Sequence, residues 1–190
     1  MSAKALDRFL ASVERRALRM ATIGTRNEQS AMDIVQDAMM RLAEKYGHRS
    51  ESEWPMLFQR ILQNAILDHH RRQKVRRTWV SLFGDLFPDQ DEGNDKNIPD
   101  SVLEIAEDPR LQPEELLERG RTRDRIENAI GELPVRQQQA FLLRYWEGLD
   151  IAQTAAVMGC SEGSVKTHCF RAVRTLEQSL AELRPSGGND

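Results

Sequence analysis

Apolar residues recur at three- and four-residue intervals along most of the chain, and no segment alternates with a period of two for long enough to form a strand. Helices packed on helices are then the available architecture, so the fold class is all-α. Leu6, Phe9, Leu10, Val13, Ala17 and Met20 lay one stripe along a helix spanning roughly residues 4–22. Thr25-Arg26-Asn27-Glu28 has the S/T-x-x-E form of a capping box, which puts the start of a second helix at Thr25. Its stripe is Ala31, Ile34, Val35, Ala38, Met39, Leu42 and Tyr46, ended by Gly47 and the polar run after it. A third helix opens at Trp54-Pro55, where the fixed φ of proline suits a first turn, and carries Leu57, Phe58, Ile61, Leu62, Ala65, Ile66 and His69 inward.

From Asp85 to Pro113 the periodicity stops. Asp89, Asp91, Glu92, Asp95 and Asp100, with Pro88, Gly93, Pro99 and Pro109, leave too little apolar surface to offset ordering entropy. It returns with Leu116, Leu117, Ile126, Ala129, Ile130 and Leu133. Pro134 then starts a helix carrying Val135, Phe141, Leu142, Tyr145 and Trp146, and two more follow over 150–158 and 162–183. The organisation predicted is two small helical domains, 1–77 and 113–184, joined by a flexible acidic linker, 78–112, with a disordered tail, 185–190.

The net charge of −3 hides a division. Residues 1–77 hold 15 basic and 9 acidic side chains, 78–113 hold 2 and 9, and 114–190 hold 10 and 12. A basic, an acidic and a mixed block imply separate surfaces for separate partners. No apolar run approaches the ~18–20 residues of a membrane span, and the N-terminus lacks a signal-peptide pattern, so a cytoplasmic protein without membrane insertion is expected. The two cysteines, Cys160 and Cys169, have neither disulfide-framework nor zinc spacing and are expected to be small buried fillers. His69-His70 beside Asp68 makes no metal site, because adjacent helical residues point in different directions. With no His/Cys/carboxylate cluster, glycine-rich phosphate loop or Ser/His/Asp arrangement, the chain is not expected to be an enzyme or to carry a cofactor.

The sharpest chemical signal lies in residues 151–167. A helix-turn-helix needs a small residue where its helices touch, a glycine at the turn and an apolar residue seating the second helix, and Ala155, Gly159 and Val165 supply them. Ser161 then caps the second helix. With Val165, Cys169, Ala172, Val173 and Leu176 inward, the outward set is Glu162, Gly163, Lys166, Thr167, Phe170, Arg171 and Arg174, with Ser161 and Ser164 at the helix start. Such a face enters a major groove with its N-terminal side chains at base edges and its later arginines on phosphates. The plain alternative is a helical hairpin with a solvated basic face. A second constellation lies on the third helix, where Arg60, Asn64, Asp68 and Arg71 share one face. Arg71, Arg72, Lys74, Arg76 and Arg77 put five basic residues in seven positions, which implies phosphate contact, while Asn64 and Asp68 either bond base edges or lock the arginines.

These pieces together resemble a known family. Residues 60–72, with Arg60, Asn64, Asp68, Arg71 and Arg72 in place, resemble the R-I-A-x-N-x-x-x-D-x-x-R-R run of bacterial sigma factors of the extracytoplasmic-function class. Asp33-Ile34-Val35-Gln36-Asp37-Ala38-Met39 is similar to their D-L-V-Q-E-T-F segment, and Glu132-Leu133-Pro134 through Leu149 resembles the E-L-P-x-x-x-R…Y-x-E-G-L stretch before their helix-turn-helix. The resemblance covers about residues 5–77 and 112–183, in family order. It implies that Asp33, Gln36 and Asp37 meet the β′ clamp helices of RNA polymerase core, with the β flap and an anti-sigma factor as further partners. It also implies that Asn64 and Asp68, below the loop 47–53, receive the −10 promoter element as single-stranded DNA, where pocket contacts offset a few kcal/mol of unstacking, roughly. The second domain then reads the −35 duplex through Glu162, Lys166, Thr167, Phe170 and Arg171.

Three positions depart from the family pattern. Thr154 stands where an apolar residue is usual and is expected to loosen the first helix of the hairpin; Gln138 and His168 stand where Arg is usual, with His168 expected to be a neutral surface residue. Trp79, Val80, Leu82, Phe83, Leu86 and Phe87 form an unusually apolar strip at the start of the linker, expected to pack on the first domain rather than to serve as a docking strip for polymerase or for an inhibitory partner. Trp54 is expected to anchor a helix start and Trp146 to be core. The competing function is a helix-turn-helix regulator that binds duplex DNA as a dimer without polymerase, but it gives no reason for Arg60, Asn64 and Asp68. A purely structural adaptor leaves residues 71–77 unexplained.

The charge division generates a prediction. An acidic tether beside a basic domain competes with DNA phosphates, whose affinity depends mainly on counterion release, and it also sets the reach between domains. Deleting Asp89–Asp108 is expected to raise the free protein's DNA affinity at low salt and to lower transcription by the holoenzyme. Mobility shifts across a salt series check the first; equal affinity at low salt refutes it.

Overall fold

A computed structural model describes residues 3–83 and 113–181, with side chains over 4–76 and 119–181. All regular elements among them are helical, and they fall into an N-terminal and a C-terminal compact unit.

In the N-terminal unit α1 (Ala3–Thr25), α2 (Glu28–Tyr46) and α3 (Trp54–Phe83) pack on one another in all three pairs. The core takes Ala17, Met20, Ala21 and Ile23 from α1, Ala31, Val35, Ala38 and Leu42 from α2, and Trp54, Phe58, Leu62 and Ile66 from α3. Buried alanines on α1 and α2 let the helices approach closely, while the larger side chains of α3 fill the space between them. Phe9 lies 5.8 Å from the Trp54 ring and meets Phe58 edge-on at 6.2 Å. The Trp54 indole N–H donates to the Tyr46 carbonyl at 3.2 Å, so this anchor also clasps the end of α2 to the start of α3.

The cap of α2 differs from expectation. Thr25 is the last residue of α1, and its hydroxyl donates to the carbonyls of Ala21 and Asn27. Asn27 is the N-cap, its side-chain oxygen accepting from the Ser30 N–H at 2.7 Å. The reason is the link: Arg26 takes a left-handed φ of 56°, which stops α1 and leaves the next residue extended, where a cap must sit. The third helix also runs to Phe83, beyond residue 77, because no Gly or Pro interrupts residues 71–83. The side chains of the strip at 79–83, and the whole of 84–112 and 182–190, lie outside the described residues.

The C-terminal unit comprises α4 (Pro113–Gly131), α5 (Val135–Phe141), a π-helical turn (Leu142–Trp146), α6 (Ile151–Met158) and α7 (Glu162–Ser179). α7 packs against α4, α5 and α6. Its buried residues Val165, Cys169, Ala172 and Leu176 meet a core that includes Ile130, Leu133, Ala140, Leu142, Leu143, Ala155, Val157 and Met158. The π turn overturns one expected core assignment. An extra residue per turn rotates the downstream side chains by about 100°, so the stripe at period 3.6 falls out of register. Consecutive Leu142 and Leu143 are buried, Tyr145 is 58% exposed against Phe141, and Trp146 is half-buried. On α4 Glu127 is buried and Ile126 exposed, again one position off the expected stripe. Cys169 is the buried filler expected, but Cys160 is only half-buried because it comes directly after the turn glycine at the rim of the unit.

Thr154 does not sit as an unsatisfied polar group in the hairpin. It is fully buried, and its hydroxyl donates to the Asp150 carbonyl at 2.7 Å, which removes the desolvation cost that an unpaired hydroxyl carries. Asp150 and Gln153 close a reciprocal capping box at the start of α6. Gly159 then takes φ 62° and ψ 43°, its left-handed turn aiming α7 away from α6.

Two glycines four residues apart are expected to respond in opposite directions. A Cβ at Gly159 would meet nothing within 4 Å, so Gly159→Ala costs only its left-handed backbone, about 1–2 kcal/mol. Gly163 lies inside α7 with ordinary helical space, and Gly163→Ala is expected to stabilise by roughly 0.4–1 kcal/mol. Urea unfolding followed by circular dichroism reads both.

Candidate nucleic-acid interface

On α3 the buried stripe Phe58, Leu62 and Ile66 fixes the opposite face toward solvent, and Arg60, Asn64, Asp68 and Arg71 are all exposed there. Asp68 accepts from Arg71 at 3.0 Å. Both side chains are solvated, so the pair is worth at most about 1 kcal/mol, but it holds the guanidinium along the helix. Arg72, Lys74 and Arg76 are exposed on the continuing helix; Arg77 lies on α3 with its side chain outside the described residues.

The loop before α3 is built around Glu53. Its carboxylate accepts from the Ser50 N–H and hydroxyl, both at 3.0 Å, with Arg49 at 3.8 Å. The Ser50 hydrogen bonds first, then the charges of Arg49 and His48, hold the Glu53 carboxyl below the usual carboxylate range. Ser50-Glu51-Ser52-Glu53 has the same S-x-x-E signature that the sequence offers at Thr25, and here the side chain does reach back. That signal could have found Glu53 as the residue ordering this loop.

On α2 Asp33 and Gln36 are exposed and Asp37 half-buried. Gln29 donates to Asp33 at 3.4 Å, and Arg41 grips Asp37 at 2.9 Å. Met40 lies on the same face and is 60% exposed. Sequence reasoning missed it, although an apolar residue falling off the stripe of Val35, Ala38, Met39 and Leu42 was there to be noticed.

On α7 Ser161, Glu162, Gly163, Lys166, Thr167, Phe170, Arg171 and Arg174 are exposed, while Ser164 is half-buried. Ser161 accepts from the Ser164 N–H at 3.2 Å and the two hydroxyls lie 2.9 Å apart, so these serines cap the helix. The Thr167 hydroxyl donates to the Gly163 carbonyl at 3.0 Å. The Arg174 guanidinium lies 5.9 Å from the centroid of the Phe170 ring. Arg136 was not singled out from sequence, yet it donates to the Met158 carbonyl at 3.1 Å and to Gln139 at 3.0 Å, tying α5 to the end of α6. Gln138 is buried and donates to the Ile130 carbonyl at 3.0 Å, so it closes the end of α4. His168 is half-buried; burial first, then the charges of Arg136 and Arg171, lower its pKa and keep it neutral near pH 7.

Among the described residues no group of three or more His, Cys, Asp or Glu is placed to hold a metal, and no helix is long and apolar enough to cross a membrane. The arrangement offers two exposed, mainly basic helix faces, one on each unit, and an acidic face on α2.

Residues 6–76 match the family model of sigma-70 region 2, and residues 123–176 match that of sigma-70 region 4. The chain is 28% identical over 180 residues to the ECF RNA polymerase sigma factor SigM of Mycobacterium tuberculosis, covering 94% of this chain and 79% of that one. It is 36% identical over 158 residues to the ECF RNA polymerase sigma factor BldN of Streptomyces coelicolor, covering 80% and 52%. With the RNA polymerase sigma-H factor of Pseudomonas aeruginosa it shares 28% identity over 186 residues, covering 95% and 88%. In fold it is similar to the sigma factor RpoE of Bartonella quintana, solved in complex with the anti-sigma factor NepR, with a TM-score of 0.58 and 22% identity over 92% of this chain and 97% of that one. The chain belongs to the sigma-70 family, in its extracytoplasmic-function class. Members of that class support promoter-directed transcription initiation by RNA polymerase, as regulatory DNA-binding proteins.

The electrostatics of α3 yield a further expectation. His69 is half-buried beside the basic end, and burial, then His70 and Arg72, lower its pKa. Because its folded pKa lies below the ordinary 6.5, the stability it contributes is full above that value and declines as pH falls through the folded pKa. An NMR titration is expected to place His69 below 6.5, and His70→Gln to move it upward without restoring the ordinary value; a midpoint at or above 6.5 in the native chain refutes this.

Proposed function

We propose that this protein reads a promoter in two places while bound to RNA polymerase core. Residues 1–77 bind core through Asp33, Gln36 and Asp37 against the β′ clamp helices, and Met40 adds an apolar contact on that face. The same domain takes the −10 element as single-stranded DNA along Arg60, Asn64 and Asp68, with Arg71, Arg72, Lys74, Arg76 and Arg77 on phosphates. Residues 113–184 contact the β flap and read the −35 duplex with the outward face of α7. Ser161 and Ser164 set the start of that helix; Glu162, Lys166 and Thr167 face base edges, and Arg171 and Arg174 face phosphates. The protein acts in the cytoplasm, with an anti-sigma protein as its second partner and no cofactor.

The observation that carries this reading is the exposure of two basic helix faces on two separately packed units, in the family's order, each fixed outward by a buried stripe behind it. A dimeric duplex-binding regulator accounts for α7 but leaves the exposed Asn64 and Asp68 without a role.

Three classes of variant separate the assigned roles. Charge reversal at Asp33 and Asp37 is expected to weaken capture by polymerase core with the fold intact. Lys166→Ala or Arg171→Ala is expected to weaken binding to upstream duplex by roughly ten-fold to a hundred-fold, the range for one good contact. Asn64→Ala is expected to spare that binding and to reduce permanganate-detected strand opening. Wild-type opening in Asn64→Ala would sink the −10 assignment, and unchanged core affinity in the folded double reversal would sink the α2 one.

A further inference from the structure

Phe170 is 63% exposed, the most exposed large apolar side chain among the described residues, and it sits midway along the outward face of α7. Lys166 and Thr167 precede it by one turn, and Arg171 and Arg174 come after it. A face seated in a major groove therefore carries Phe170 into the groove with it. A phenyl ring offers phosphate oxygens no donor and base edges no hydrogen bond. On the major-groove edges the apolar feature that complements it is the C5-methyl of thymine.

Two neighbours strengthen this assignment. The Thr167 hydroxyl is spent on the Gly163 carbonyl at 3.0 Å, which leaves its methyl as the other group on Cβ, one turn from the ring. Arg174 lies over the ring at 5.9 Å, which restrains both side chains before DNA arrives and keeps a cation beside the apolar contact, where a phosphate flanks the base.

We infer that Phe170, with Thr167 beside it, reads a thymine methyl in the −35 duplex, so that this protein's upstream specificity is partly a methyl requirement. This rests on the reading of α7 as a duplex-reading helix and deepens it by naming the base chemistry recognised. The ring acts on the DNA directly, and Arg174 is a positioning residue for it.

The experiment uses holoenzyme formed from the full chain and polymerase core, on a promoter selected from a random library. Each thymine of the upstream element is replaced in turn by deoxyuridine, which removes only the methyl. Wild-type holoenzyme is expected to lose roughly fourfold in affinity at one thymine, the worth of one buried methyl. In Phe170→Ala that loss is expected to disappear, while Phe170→Leu, which keeps an apolar group there, retains part of it. Restoring the methyl as 5-methylcytosine opposite guanine, at the same site, is expected to recover affinity relative to unmodified cytosine in wild type only. A wild-type holoenzyme indifferent to deoxyuridine at every upstream thymine overturns the inference, as does an undiminished deoxyuridine penalty in Phe170→Ala. The underlying reading fails differently, through wild-type upstream binding in Lys166→Ala and Arg171→Ala.

Discussion

Val165 and Ala172 are fully buried two turns apart on α7, and the remainder of the C-terminal unit is arranged around that contact. Seven residues return a helix to nearly the same angle, so fixing these two toward the core fixes Lys166, Thr167, Phe170, Arg171 and Arg174 away from it. The outward chemistry of the recognition face is therefore set from behind. Gly159 supplies the left-handed turn that brings α7 to its seat, Ser161 caps its start, and Arg136 ties α5 to the end of α6. None of these needs to touch DNA to decide what does.

The N-terminal unit uses the same device with larger side chains. Trp54 and Phe58 fill the core at the start of α3, the indole N–H closes on Tyr46, and the helix runs unbroken from that anchor through its basic end. An anchored start makes the angular position of every later residue predictable, so Asn64 and Asp68 face solvent because Leu62 and Ile66 do not. The Glu53 carboxylate, charged and held by Ser50, stiffens the loop just before this anchor. Stability thus concentrates behind both faces, and the exposed groups remain available for partners.

Much of the candidate site was legible in advance because helical geometry converts spacing into direction. Arg60, Asn64, Asp68 and Arg71, and the outward set of α7, all lie where spacing alone puts them. Reading failed where local geometry breaks the period or where two patterns compete. The π turn shifted Tyr145 out of the expected core, since hydrogen bonding one residue further along leaves no mark in an apolar stripe. Thr25 and Ser50 carry the same capping signature, and the left-handed Arg26 decides that Asn27 caps α2 instead. Met40 was overlooked because one apolar residue off a stripe looks like noise until its exposure is seen.

The sequence by itself determined that the chain is helical, which face of each long helix is apolar, and where the two basic faces lie, because period, caps and charge are local properties of contiguous residues. Tertiary structure alone decided which polar groups are spent internally and which remain for partners. Thr154 and Gln138 are satisfied inside the core, Thr167 bonds its own helix, Asp68 holds Arg71, and Phe170 stays in solvent under Arg174. Hydrogen bonds and burial are settled by which atoms meet in space, and residues far apart in sequence, such as Arg136 and Met158, meet only once the helices have packed.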